Sequence, residues 1–416
     1  MINFLKEKFF PDNRVNHYAL SWVFLIMFFA GLIFSHALQS ISMGLLAANV
    51  LINKDAKENL KFYFNDRVMV VLTFFLLTYL LSGFYSDDKK FWLEKVNLRL
   101  AFVVIPIGLV AMRGMSHKHF QWALYIFLWL IVVSSIIVLA KYFRNYEEIN
   151  TSYSAGGTME TPYSHIRFSL MVCFCIFSGW FLYRGDFQPL FRGEKYFTLA
   201  ATGFLVLFLH LLAVRSGLLA FYICALFVTL RSIYFGKKWK SGIAMIGVQI
   251  LIPVVAYVVF PSVKSRVDYM QYDIKNYFNG ADIRGLSDAT RIYSIRTGIK
   301  IGQQNYWFGV GAGDLKNEAM KFYKDMPEMK DAYKLPHNQI IWEFASVGII
   351  GLIIFWFASL FPFFYNRNYK DPLFLCLHII IFSSYLTEAT ADDSNGNGLY
   401  LVFLCLIYFQ LLKQRT

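Results

Sequence analysis

The chain has 416 residues, of which 57% are hydrophobic and only 16% are charged. Soluble domains are about 45–50% apolar and about 25% charged, so this composition excludes an ordinary soluble globular protein. The formal net charge of +13 would suggest nucleic acid in a soluble protein, but in a membrane protein it is typical of loops that face anionic lipid. The five cysteines all lie in apolar runs, which is not the pattern of a disulfide framework or a zinc site.

Twelve apolar segments are predicted to cross the membrane. A transmembrane helix needs about 20 mostly apolar residues, because the hydrocarbon core is about 30 Å thick. Two apolar runs are too long for one span, and they are divided at Ser35-His36 and at Arg215-Ser216-Gly217. The predicted spans are 18–34, 38–52, 68–84, 100–112, 119–140, 164–183, 197–214, 216–230, 241–260, 338–363, 371–388 and 398–412.

The distribution of basic residues predicts that both termini are cytoplasmic. In this orientation the cytoplasmic segments hold 20 Lys and Arg, whereas the short loops on the other side hold 7. Cytoplasmic loops are enriched in Lys and Arg, so the difference favours this orientation. The N-terminal segment has no small-residue cleavage site, so no removable signal peptide is expected.

One long polar segment, 261–336, falls on the outer side in this topology. It exceeds the length over which the charge rule applies, so its basic residues do not contradict the assignment. Residues 290–301 repeat apolar side chains at a spacing of three or four, which predicts a helix with Asp288 as its cap.

These features predict an all-α polytopic membrane protein with about twelve transmembrane helices and one long, partly helical periplasmic loop. Three regions follow: transmembrane helices 1–9 in residues 1–260, a periplasmic loop domain in 261–337, and transmembrane helices 10–12 in 338–416. Membrane lipids are expected partners. Nucleic acid is not, because the chain lacks a pattern of basic residues interleaved with aromatic ones.

His337 lies where the long loop returns to the membrane, between Pro336 and Asn338. An imidazole at this position could act as a general base, since histidine exchanges protons near neutral pH. The alternative is a polar cap at the start of a membrane helix.

Arg215 interrupts a long apolar run. An arginine in mid-membrane costs about 2.5–3.5 kcal/mol on insertion scales, so it should face protein or mark a turn. A guanidinium fits phosphate geometry and stays charged, which favours an anion clamp. The alternative is a simple loop residue.

Two further groups of candidates lie in the long loop. Arg291 and Arg296 are five residues apart on the predicted helix and therefore face different directions, and either could belong to a solvated charged face. The glycine-rich segment with Gly309 and Gly311 lacks the Lys-Ser/Thr of a P-loop. It predicts a tight turn whose backbone N–H groups could meet an anion.

The second-rank candidates are single charges near the predicted outer ends of spans, and such charges are more often structural pairs or loop charges than substrate-binding residues. They are Arg167, Glu343, Glu388, Asp392 and Asp393. His210 and His378 lie in apolar runs and are expected to bond to neighbouring helices. No paired-histidine zinc motif is present, so no metal site is predicted.

Four segments in this order resemble the signatures of the O-antigen ligase and polymerase family of bacterial envelope glycosyltransferases. In one of them Val214 and Ser216 replace the serine and glycine of Ser-Arg-Gly-x-x-x-Ala, and in another the proline before the glycines is missing. The four segments are 81–86 ahead of Lys89, 214–220, 291–313, and 336–340 together with the Gly-x-x-Gly of 347–351.

The resemblance implies a metal- and cofactor-independent, GT-C-like enzyme of the bacterial inner membrane with a periplasmic active site. It would take a glycan from undecaprenyl diphosphate and transfer it to an acceptor hydroxyl. By resemblance, Arg215 and Arg291 would clamp the diphosphate and His337 would accept the proton. The residues expected to help bind the substrates are Arg167, Arg296, Asn338, Gly309, Gly311 and Glu388.

The acceptor separates several alternatives. A ligase uses lipid A–core, which is the favoured assignment, and a polymerase uses a second lipid-linked glycan. A protein O-oligosaccharyltransferase is less favoured, because such enzymes usually carry an additional C-terminal region. A secondary transporter is also less favoured, because the chain shows no internal repeat and concentrates its polar residues on one side.

Overall fold

The computed structural model describes residues 16–154, 156–237, 239–279, 286–324 and 334–415. The predicted cytoplasmic N-terminal segment lies outside these residues. Within them the chain is helical and contains no strand. The α-helices are α1 His17–Phe34, α2 His36–Ile52, α3 Ala56–Asn65, α4 Arg67–Leu72, α5 Phe74–Ser82, α6 Lys89–Arg99, α7 Ala101–Leu109, α8 His117–Arg144, α9 Tyr146–Ser154, α10 His165–Arg184, α11 Glu194–Leu212, α12 Arg215–Gly236, α13 Trp239–Val259, α14 Pro261–Phe278, α15 Ser287–Gln304, α16 Leu315–Lys324, α17 Gln339–Phe364, α18 Pro372–Thr387 and α19 Ser394–Lys413.

Many of these helices could cross a membrane, which confirms the predicted all-helical polytopic class. In the described part of the chain nine helical segments are long and apolar enough, one of which, Lys89–Met112, combines α6 and α7. The bent pair formed by α3 and by α4 with α5, at an angle of 74°, would make a tenth. The sequence predicts twelve transmembrane spans. The difference comes from α2 and α18, which are apolar but have only 17 and 16 residues. A perpendicular span needs about 20 residues.

Both long apolar runs are divided, the first at the predicted Ser35-His36 and the second at Ala213 and Val214, just before the predicted Arg215-Ser216-Gly217. Ser35 has an extended backbone that ends α1, and its hydroxyl accepts a hydrogen bond from the backbone N–H of Leu38 to start α2. Ala213, with φ of 51°, ends α11 in the left-handed region. Arg215 is therefore the first residue of α12, at a helix terminus rather than in mid-membrane.

The predicted helix in the long loop is confirmed, but its predicted cap is wrong. The helix α15 begins at Ser287, and the buried carboxylate of Asp273 on α14 accepts hydrogen bonds from the backbone N–H groups of Asp288 (2.7 Å) and Ala289 (3.0 Å). A cap from another helix cannot be read from local sequence. Because Asp273 caps the helix, the side chain of Asp288 is not needed as a cap and can bind a different group.

Helix α17 is broken at Gly348, whose φ of 68° and ψ of −169° are not helical. The predicted glycine-rich turn packs into this break. The backbone N–H of Val310 donates to Ala345 (3.0 Å), and that of Ile349 donates to Tyr306 (2.9 Å). The turn thus supplies partners for backbone groups that the broken helix would otherwise leave unpaired.

The substitution Gly348→Ala is expected to destabilise the protein. An added Cβ would lie 2.3 Å from the carbonyl oxygen of Trp307, and an alanine at positive φ is strained by about 1–3 kcal/mol. The thermal unfolding midpoint in detergent should fall. Gly203 on α11 is the matched control, because a Cβ there meets nothing within 4 Å and alanine favours a helix. Equal midpoints for the two variants would contradict this account of the break.

Helix α19 is the centre of the bundle and is almost entirely buried. The ring of Phe403 lies 4.8 Å from that of Phe127 and 4.3 Å from that of Phe174, measured between centroids. At the start of α19, the side chain of Asn397 donates to the carbonyl of Ala391 at 2.9 Å. The buried helix therefore holds the segment 388–393 in place, and this segment borders the candidate site.

Candidate active site

One cavity of about 400 Å³ brings together His337, Arg215, Arg291 and Glu388, which are far apart in the sequence. It lies where the first residues of α10, α12 and α15 meet the segment before α17 and the residue after α18. Three of these four residues are the predicted catalytic residues, and the fourth is a predicted substrate-binding residue. Helix ends gather here, so the polar side chains lie at one end of the bundle.

Arg215 is held by Asp288 in the first turn of α15. Its Nη1 atom lies 2.6 Å from both carboxylate oxygens. The Arg215 side chain is 35% exposed and that of Asp288 is 11% exposed. The ion pair therefore fixes the guanidinium at the cavity wall while leaving part of it accessible.

Glu388 connects His337 with Arg291. Its Oε1 accepts a hydrogen bond from Nη2 of Arg291 at 2.7 Å, and its Oε2 lies 3.3 Å from Nδ1 of His337. Burial opposes ionisation of Glu388, but the hydrogen bond from His337 and the charge of Arg291 outweigh it, so the pKa of Glu388 lies below its ordinary value.

The contact with Glu388 also selects the tautomer of His337. An ionised carboxylate can only accept, so Nδ1 of the imidazole carries the hydrogen. In the neutral ring Nε2 then has the free lone pair. The arrangement therefore presents a base, oriented by a carboxylate, in the same way that an aspartate orients the histidine of a catalytic triad.

Two cations of the cavity were not predicted, Arg266 of α14 and Lys334 before α17. Arg266 donates from Nη1 to the carbonyl of Gly156 at 3.1 Å, and Lys334 donates from Nζ to Oγ1 of Thr290 at 3.0 Å. Burial lowers the pKa of Lys334 below its ordinary value, and Arg291 lowers it further. The abundance of basic residues in 261–336 was the only signal of these two.

The cavity has more positive than negative groups. Its lining holds the four cations Arg215, Arg266, Arg291 and Lys334, against the two carboxylates of Asp288 and Glu388. Clustered cations at partly buried positions repel one another, and an anion would relieve that repulsion. This composition is suited to a multiply charged anion such as a diphosphate.

Asn338 and Arg167 support the walls of the cavity and do not line it. The side chain of Asn338 caps α17 by accepting from the backbone N–H of Ile340 at 3.0 Å, and it donates to the carbonyl of Leu386 at 2.9 Å. Arg167 is buried, and its Nε lies 3.2 Å from Asp393. Together they hold the residues on either side of His337 and Glu388.

Three predicted substrate-binding residues are not at the cavity. The guanidinium of Arg296 lies over the ring of Tyr277, 5.4 Å from its centroid, which agrees with its predicted separation from Arg291. The backbone N–H groups of Gly309 and Gly311 donate to the carbonyls of Asn305 (2.8 Å) and Ser346 (2.9 Å). These N–H groups are therefore used within the fold, contrary to the expected anion contact.

Glu343 belongs to a fully buried network beneath the cavity. Its Oε1 accepts from Arg99 at 2.6 Å and from Gln339 at 2.7 Å. Arg99 also donates to the carbonyl of Ala391 at 2.6 Å, and the Gln339 side chain accepts from the N–H of Ala391 at 2.8 Å. The network thus fixes the backbone after Glu388. Of the alternatives for Glu343, a structural ion pair is the one that fits these contacts.

The substitution Glu343→Ala is expected to destabilise the protein by about 3 kcal/mol, because it removes the closer carboxylate partner of the buried Arg99 and leaves only Asp392, 3.8 Å away. Thermal unfolding in detergent measures the loss. Glu318→Gln breaks the solvent-exposed pair with Lys321 and should leave the unfolding midpoint nearly unchanged. Similar midpoints for the two variants would show that the network does not hold this region together.

Among the described residues, no group of three or more His, Cys, Asp or Glu side chains could hold a metal ion. Residues 200–356 match the family model described as O-antigen ligase. The match includes Arg215, Arg291 and His337, and it supports the family resemblance indicated by the sequence motifs. No curated protein matches the chain.

Proposed function

We propose, from the match of residues 200–356 to the family model described as O-antigen ligase, that the protein transfers a glycan from undecaprenyl diphosphate to an acceptor hydroxyl. The favoured acceptor is lipid A–core, at the periplasmic face of the bacterial inner membrane. The single observation that carries the proposal is the cavity in which His337 and Glu388 face a cluster of cations.

The cations would act on the leaving group. As the anomeric bond breaks, negative charge grows on the undecaprenyl diphosphate. Fixed cations aimed at that charge lower the barrier, because they need little reorganisation during the reaction. Arg215 and Arg291 are already oriented by carboxylates, at 2.6 and 2.7 Å, so each would meet the diphosphate in a defined position.

His337 would act on the acceptor. With Nδ1 bonded to Glu388, its Nε2 can take the proton from the attacking hydroxyl. The hydroxyl oxygen then forms the new glycosidic bond and the diphosphate leaves with the electrons of the old one. The positive charge that develops on the imidazole would be stabilised by the carboxylate of Glu388.

The position of the cavity suits lipid-linked substrates. It lies at the ends of α10 and α12, both of which are candidate membrane spans. A polyprenyl tail could therefore remain between membrane helices while its diphosphate enters the cavity. A transporter would be expected to place ionisable groups near the middle of broken helices, whereas here they gather at helix ends.

The test uses purified protein and undecaprenyl diphosphate that carries a labelled glycan. Lipid A–core is offered as acceptor in one reaction, and a second unlabelled lipid-linked glycan in another. We expect the label on lipid A–core, and at least about a hundredfold slower labelling with His337→Ala. A ladder of longer lipid-linked glycans without lipid A–core would replace the ligase assignment with a polymerase. Absence of transfer in both reactions would contradict the proposed transferase activity.

A further inference from the structure

A second cavity, of about 670 Å³, lies at the opposite end of three helices that border the active-site cavity. Helices α10, α12 and α18 each contribute residues to both cavities. The helices α10 and α12 have 20 and 22 residues, which at 1.5 Å per residue separates their ends by about 30 Å. The second cavity therefore lies near the other membrane face.

This cavity, which we term the distal groove, has apolar walls and a basic mouth. Its walls include Phe177, Val228 and Leu373, and its charged residues are Arg184 and Arg231. Its volume is within the range of about 300–1,000 Å³ that is usual for small-ligand sites. An apolar cavity next to cations is suited to a molecule with a hydrocarbon part and an anionic head.

The two arginines are available to such a head. Arg184 is exposed and makes no ion pair with a carboxylate among the described residues, and its guanidinium lies 6.0 Å from the ring of Trp180. Arg231 donates to the carbonyl of Lys370 at 2.6 Å. The described residues that line the distal groove include no Asp or Glu. Asp371, next to the lining residue Pro372, interacts with the charge of Arg231, so two arginines face one neighbouring carboxylate and the groove stays positive.

Exposed aromatic side chains mark the depth of the mouth in the membrane. Phe235 lines the distal groove, Tyr234 precedes it in the chain, and Trp239 follows it by four residues. All three rings are exposed, by 72%, 78% and 63%. Tyr and Trp concentrate at the level of lipid headgroups, so the arginines are at the depth where lipid phosphates lie.

The distal groove is also open to lipid on one side. Helix α13 contributes Met245 to it, and only Gly242 and Ala256 of that helix are buried. A helix so weakly covered by protein must contact lipid along most of its length. An acyl chain could therefore enter between α12 and α13 without crossing water.

We propose that the distal groove binds an anionic glycerophospholipid, with its phosphate at Arg184 and Arg231 and an acyl chain along the apolar walls. This site goes beyond the proposed transferase and does not depend on it. Basic pockets between membrane helices are suited to anionic lipid headgroups. A lipid bound there would link α10, α12 and α18 and stabilise the folded state by mass action.

The test is a titration of detergent-purified protein with phosphatidylglycerol, followed by native mass spectrometry and thermal unfolding. Phosphatidylcholine of the same acyl composition tests the requirement for net negative charge. We expect phosphatidylglycerol to be retained and to raise the unfolding midpoint, with little effect of phosphatidylcholine. Arg184→Gln should weaken binding by about fivefold. Arg192→Gln is the matched control, an exposed arginine eight positions along the chain that does not line the groove.

A steric variant tests the apolar part separately. Val228→Trp would fill part of the distal groove and should reduce binding without removing a charge. Equal retention of the two lipids, or equal binding by Arg184→Gln and Arg192→Gln, would overturn the proposal. So would displacement of phosphatidylglycerol by equimolar undecaprenyl phosphate, because the preferred occupant would then be the polyprenyl carrier.

Discussion

Replacing His337 with alanine is expected to lower glycan transfer by about 10²–10⁴-fold, the range that general-base catalysis contributes. Among the described residues that line the cavity, the imidazole of His337 is the one imidazole that contacts a carboxylate, with Nδ1 3.3 Å from Glu388. Since Arg215 and Arg291 remain, binding of the diphosphate donor should change little. Transfer rates and donor binding, measured on the same preparation, separate the two effects.

The control for this substitution is His117→Ala. His117 lies at the far end of the bundle, in the cavity next to the distal groove, so its loss should leave transfer unchanged. Wild-type rates for His337→Ala would contradict its role as the base. Parallel loss of transfer and of donor binding would instead assign His337 to binding.

The dependence of transfer and stability on pH is a second test of the contact between His337 and Glu388. Because the pKa of Glu388 is below its ordinary value, its carboxylate stays ionised at neutral and mildly acidic pH. Its contribution to stability is complete above the unfolded pKa of about 4.3 and is lost only as pH falls through the lower folded value. We therefore expect transfer and the thermal unfolding midpoint to keep this contribution down to about pH 4.3, and Glu388→Gln to lack it at every pH. A Glu388→Gln variant with the wild-type midpoint and the wild-type transfer rate would contradict the role given to Glu388.

Local chemistry explains which parts of the fold could be predicted. Ser35 caps a helix through its own hydroxyl, and Arg215 cannot remain inside an apolar span, so both helix breaks are readable from neighbouring residues. The capping role of Asp273 is different, because it acts on a helix that starts 14 residues later. Such contacts depend on packing, and no periodicity reports them.

The same distinction applies to the site. Arg215, Arg291 and His337 were predicted because each stands in a motif or breaks a pattern. Arg266 and Lys334 stand in no motif and break no pattern. The packing of α14 against the start of α15 brings Arg266 to the cavity, and the segment before α17 brings Lys334 there. Conversely, Gly309 and Gly311 stand in a motif, yet their N–H groups bond within the fold. A conspicuous pattern therefore identified a structural turn as readily as a binding site.

The substitution Arg215→Gln is expected to lower kcat/KM for the lipid-linked donor by about 10²–10³-fold, the loss typical of removing one preorganised donor from a developing anion. The paired carboxylate makes the effect larger, since Asp288 would remain in the cavity without its cation and repel the diphosphate. Arg215→Lys keeps the charge but loses the planar fork, so its rate should lie between those of Gln and wild type.

Arg296→Gln is the matched control for Arg215→Gln. It removes one positive charge from the same basic region, but Arg296 lies over Tyr277 and does not line the cavity. If the cations acted only through the general field of the region, the two Gln variants would lose activity equally, and the clamp would be refuted. If Arg215 meets the diphosphate directly, the Arg296 variant should stay within about threefold of wild type, because a screened charge at a distance contributes little.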